Sequence, residues 1–197
     1  MQLFNKKLSP KYMINRFIPL LTLAFTFAVF IIAACSPESS AEELESVEKK
    51  LQEIRQNEQR LMDLIQNNPQ SPDFNVRAIR LVEDYRIFAD RYSDHEEAPE
   101  MLFRAANLRA DGLNEYNKAI SMFRRVINEF PESDHAMRSL FLIAYTQGEL
   151  IGDHDAARKT YQEFLDKYPE SELAESAAQM LEFTGRDLES IINQQLD

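Results

Sequence analysis

The sequence predicts an all-α protein, a short N-terminal coiled-coil-like helix followed by a solenoid of stacked helix pairs. Three observations carry that expectation. Glycine occurs only 4 times in 197 residues, while the helix formers Glu, Ala, Leu, Arg and Gln are abundant. A pattern of apolar and turn residues recurs at an offset of 38. Ahead of it, apolar residues fall at alternating steps of three and four, the spacing of a coiled-coil seam.

The chain opens on a different pattern. Lys6, Lys7, Lys11 and Arg16 precede Phe17–Ala34, a run without a charged residue. A basic segment, an apolar segment and small residues before a cut site mark a secretory signal over residues 1–34. Met13 offers a second start that leaves the remaining 163 residues unchanged. Two other readings stay open: a transmembrane helix, since 18 residues rise about 27 Å, and a secretory signal with an incidental cysteine. Ile32-Ala33-Ala34-Cys35, with the chain's one cysteine, resembles the lipobox of bacterial lipoproteins. The resemblance implies cleavage before Cys35 and a covalent lipid on its thiol. Two or three acyl chains anchor a protein stably where one does not. It also leaves no thiol for a disulfide or a nucleophile. Ser36 stands where inner-membrane retention in this family uses aspartate, which implies the outer membrane, periplasmic face.

Beyond residue 34 the chain holds 18 basic and 33 acidic residues. A surface so acidic repels phosphate backbones and anionic head groups, so nucleic acid is not an expected partner, and the membrane is reached only through lipid. Ser36–Ser40 has no apolar pattern, and residues 35–43 are expected to form a lipidated tether. Ser39…Glu42 and Ser40…Glu43 offer capping boxes for a helix over 44–66. Leu44, Val47, Leu51, Ile54, Leu61 and Ile65 form its seam, with Glu58 in the vacant position. The seam predicts either self-association through 44–65 or an amphipathic helix folded back on the next domain. Asn67-Asn68-Pro69-Gln70-Ser71-Pro72 then ends the helix.

The repeats occupy 73–197. Ala98, Leu102, Phe103 and Ala106 return as Ala136, Leu140, Phe141 and Ala144. Ala119, Phe123, Val126 and Phe130 return as Ala157, Tyr161, Phe164 and Tyr168, and Pro131-Glu132-Ser133 as Pro169-Glu170-Ser171. Each unit is expected to be two helices, broken near Asp111-Gly112 and Ile151-Gly152-Asp153. Alanines sit at the close crossings, aromatics fill the gaps, and Ser133 and Ser171 cap the next helix. Such a pair cannot bury its apolar face alone, so neighbours must stack.

These residues resemble the tetratricopeptide repeat, with phenylalanine for the usual tryptophan and a period of 38 rather than 34. The resemblance covers two full units, about 98–131 and 136–169. Phe74–Tyr92 matches a second helix only, Leu173–Phe183 a first helix only, and Asp187–Gln195 is expected to form a cap. That makes seven helices after the coil. The resemblance implies a binding scaffold whose concave face is lined by Met101, Arg104, Leu108 and Asp111 in one unit, and by Ser139, Leu142, Thr146 and Glu149 in the next.

Catalytic and metal chemistry lack a matching pattern. His95, His135 and His154 stand near helix starts without a partner at metal-ligand spacing, and are expected to be solvated turn residues. GxSxG, P-loop, dinucleotide and HExxH patterns are absent from the sequence, so neither an enzyme nor a cofactor beyond the lipid is expected. Two envelope families share parts of this layout. The outer-membrane protein assembly lipoproteins join a lipobox to repeats ending in Phe/Tyr-Pro-x-Ser, and the Tol-Pal-associated cell-division coordinators join a coil to a short repeat domain. A substrate-capturing lipoprotein of a nutrient-uptake system is a further alternative.

Overall fold

The computed structural model describes residues 37–186, with side chains from residue 44 onward. Its helices are α1 (Pro37–Asn67), α2 (Asp73–Arg91), α3 (Ala98–Asn107), α4 (Tyr116–Glu129), α5 (Asp134–Tyr145), α6 (His154–Lys167) and α7 (Ala174–Phe183). α3 and α5 each run on into a π-helical turn, Leu108–Gly112 and Thr146–Ile151. Among the described residues there is no strand. The expected cap at Asp187–Gln195, the leader and Cys35 lie outside the described residues. The chain divides into two compact units between Lys49 and Lys50.

From α2 to α7 each helix packs on the next, as the period of 38 requires. Ala106, Ala119, Ala144 and Ala157 are fully buried, so the backbones approach closely where they cross. Aromatic rings fill the space left between them. Phe103 lies 5.7 Å from Phe123, and its repeat partner Phe141 lies 5.7 Å from Tyr161. Burying each such ring contributes roughly 1.5–3 kcal/mol. At the turns, the Ser133 hydroxyl accepts the Ala136 N–H and so caps α5. Asp153 caps α6 in the same way, after Gly152 has taken a φ of +81° that a side chain would resist.

The structure corrects several sequence expectations. The tether expected over 35–43 is helical from Pro37, so Ser39 and Ser40 lie inside α1 rather than at its cap. Apolar patterning missed this because Pro37 is tolerated in a first helical turn. Ser171 does not cap α7. Its carbonyl takes the Ala174 N–H at 3.0 Å, while its buried hydroxyl finds no partner.

The seam takes one of its two expected courses. From Lys50 on, α1 belongs to the same compact unit as the repeats, and Leu51, Ile54 and Leu61 are buried there. Of the two expectations for residues 44–65, the stretch from Leu51 to Leu61 takes the back-packed one, which leaves those side chains unavailable to a second copy. Lys50 reaches Asp84 at 2.8 Å, Asn57 bonds the same carboxylate at 2.9 Å, and Arg55 reaches Glu97. This segment therefore lies against α2 and the start of α3, in the place of the first helix that the half unit at α2 lacked. Leucine and isoleucine stand here in place of alanine. α1 accordingly meets its neighbours through long side chains rather than by close backbone approach.

Candidate functional site

That stand-off leaves an apolar groove of about 770 Å³ between the end of α1, α2 and the π-helical turn. Its volume falls in the range of sites that take small ligands or single side chains of a partner. Leu61, Met62 and Ile65 form one wall, and Phe74, Leu81 and Leu108 the other. Met62 is 51% exposed and Ile65 40%, so α1 lends apolar surface to the groove without closing it.

Local sequence explains the floor. In the π turn the Leu113 N–H reaches back five residues to the Leu108 carbonyl at 3.1 Å, which widens the helix end that faces α1. Gly112 completes it. A methyl group there would lie 2.7 Å from Leu108 Cδ1 and 3.4 Å from Phe74 Cζ, inside the groove's own lining.

One polar knot organises the rim. Glu58 Oε1 accepts a hydrogen bond from the Tyr85 hydroxyl at 2.6 Å and another from Arg104 Nη1 at 2.7 Å. Glu100 Oε1 takes the remaining face of the guanidinium, from Nε at 2.8 Å and Nη2 at 2.5 Å. Burial opposes the Arg104 charge, but the bonds and charges of Glu100 and Glu58 outweigh it and hold the guanidinium pKa above its ordinary range. Burial, then the bond to Glu58, raises the pKa of the Tyr85 hydroxyl and keeps it protonated as a donor. Asp111 is different. It lines the groove exposed, and among the described residues no hydrogen bond or ion pair engages it.

Of the concave-face residues expected from the repeat, the structure brings Arg104, Leu108 and Asp111 together in this groove. Met101 does not join them. It is buried in the core, as is its repeat partner Ser139, and Thr146 is 2% exposed. Their place in the repeat is a packing position, covered by the neighbouring helices rather than open to the groove. Leu142 is half-buried and Glu149 exposed, the latter beside Met180 and Phe183 at the far end of the solenoid. The second unit thus has no counterpart of the groove assembled from its four expected residues. Cys35 lies outside the described residues.

The histidines also differ from expectation. His135 packs its ring 5.0 Å from Phe103 with Nδ1 buried and unpartnered, and burial lowers its pKa. His95 Nδ1 accepts the Glu97 N–H at 3.2 Å, with its ring edge-on to Phe88. Only His154 is exposed as expected, and it stands at the first position of α6 rather than in a turn. Among the described residues no group of three or more His, Cys, Asp or Glu side chains is placed to hold a metal ion.

A family model described as Tetratricopeptide repeat matches residues 100–133 and 138–171. The two matches coincide with the helix pairs α3–α4 and α5–α6, each with its closing turn. No curated protein matches the chain in a sequence comparison. The fold is an all-α solenoid of the tetratricopeptide type, and repeats of this kind usually hold protein partners rather than perform chemistry. Sequence reasoning missed Glu58, Met62, Phe74 and Tyr85, which complete the groove, because the α1 seam also suited a coiled coil. The signal was Glu58 itself, an acid where a coil wants an apolar side chain.

Proposed function

We propose that this protein is a lipid-anchored scaffold of the bacterial envelope that holds a protein partner in the groove between α1, α2 and the Leu108–Gly112 turn. The groove carries the reading, as an open apolar cleft of about 770 Å³ on a tetratricopeptide solenoid. The leader ending in Ile32-Ala33-Ala34-Cys35 supports an anchor at Cys35 and a place at the periplasmic face of the outer membrane. Outer-membrane protein assembly is the pathway we favour. The coordinator reading requires a free N-terminal coil, and Leu51, Ile54 and Leu61 are buried against the same unit, which weakens that parallel.

Photo-crosslinking in cells tests the proposal, with the reactive residue placed at Met62 in the groove and at Leu142 outside it. Capture from position 62 of a β-barrel assembly component, without capture from 142, is the expected result. Capture of Tol-Pal or peptidoglycan-synthesis proteins from position 62 would overturn the pathway and keep the site. Silence at position 62 would overturn the site.

A further inference from the structure

We infer that the groove selects a peptide segment in which a bulky apolar side chain is flanked by lysine or arginine. This rests on the groove being the partner site and adds the chemistry of what enters it.

Charge complementarity decides the ligand. Three charged residues line the groove: Glu58, Arg104 and Asp111. Arg104 is the cation that could attract an anionic ligand, and both faces of its guanidinium are already occupied, by Glu58 at 2.7 Å and by Glu100 at 2.5–2.8 Å. An incoming carboxylate or phosphate would have to displace one of these carboxylates and meet the other. Asp111 is the opposite case, exposed and unengaged among the described residues, one turn from Leu108 in the apolar wall. A ligand that fills the cleft with an apolar group therefore meets an uncompensated anion at the mouth. Bringing a cation there adds attraction at no cost in broken ion pairs. A fatty acid satisfies the walls and is repelled at the mouth. The chain as a whole, at a formal charge of −11, steers partners in the same sense.

The test uses the full-length chain in nanodiscs of uncharged lipid and three labelled nine-residue peptides. All share a Leu-Phe-Leu centre and differ only in flanking Lys, Gln or Glu. Binding is read by fluorescence anisotropy at low and high salt. The expected order is Lys above Gln above Glu, with a gap between the extremes of about tenfold, or ~1.4 kcal/mol, that shrinks with salt. Asp111→Asn should narrow that gap about threefold, whereas Glu132→Gln, an exposed carboxylate in the turn after α4, should leave it unchanged. Met62→Ser should weaken all three peptides alike.

Equal binding of the three peptides overturns the inference. An equal effect of Asp111→Asn and Glu132→Gln does so too, since it would assign the preference to net charge alone. Displacement of the Lys peptide by myristate at equal concentration would replace a peptide ligand with a lipid. Crosslinking from position 62 separates the two proposals: a captured partner with unselective peptides removes only this inference, and neither capture nor peptide binding removes both.

Discussion

The Tyr85 hydroxyl donates to Glu58 Oε1 at 2.6 Å, and that bond turns the interruption of the α1 heptad into its point of attachment. Tyr85 is 5% exposed, so its hydroxyl is costly to strand. Arg104 shares the same carboxylate oxygen, which ties α1 to α2 and α3 at once.

The bond has a measurable strength. Glu58→Ala should cost about 1–3 kcal/mol in urea unfolding, because it leaves a buried donor unpaired, and Tyr85→Phe about 1 kcal/mol. The double mutant should cost less than the sum, with a coupling of about 0.5–1.5 kcal/mol. Additivity within about 0.3 kcal/mol would mean that the two groups do not interact in solution.

Tyr161 offers the contrary case. It is fully buried, and its hydroxyl finds no hydrogen-bond partner, while its repeat counterpart Phe123 fills the same place without one. Tyr161→Phe should therefore raise the melting temperature or leave it unchanged, since it removes a desolvated polar group and keeps the ring. A loss of more than about 1 kcal/mol would show that the hydroxyl is bonded.

His135 should make stability fall as the pH drops below neutral. Burial lowers its pKa from the ordinary value near 6.5, with Glu100 and Asp134 opposing and Arg138 and Arg104 assisting. The unfolded chain then binds a proton that the native state refuses. The stabilisation is present above about pH 6.5, the unfolded value, and is lost as pH falls below it. His135→Phe keeps the packing on Phe103 and should flatten the pH dependence below about pH 6.5. An unchanged slope would assign it to carboxylates instead.

Lipid attachment at Cys35 predicts that radiolabelled palmitate fed to cells enters the protein, and that Cys35→Ala abolishes both the label and membrane retention. Label that persists in the variant would move the anchor elsewhere.

The repeats were legible because their signal is redundant. Alanines 106, 119, 144 and 157 and the aromatics 103, 123, 141 and 161 recur at one offset, and each does in three dimensions what its size suggests. The site was only half legible. Arg104, Leu108 and Asp111 could be placed on one face from the repeat, but Met101, Ser139 and Thr146 share that spacing and turn inward. Side-chain period specifies a face, but which residues on it stay open depends on the helices packed against it, and Met101 and Ser139 lie in regular helix where those neighbours cover them.

Local composition and periodicity by themselves determined that this chain is helical, where its units begin and end, and that the units must stack, because each leaves an apolar face that only a neighbour can cover. Tertiary structure alone decided what α1 does. A seam of leucine and isoleucine packs equally well on a second copy or on its own chain. The choice was made by partners far away in sequence, Tyr85, Asp84 and Arg104, whose polar groups meet Glu58 and Lys50 only once the solenoid has formed.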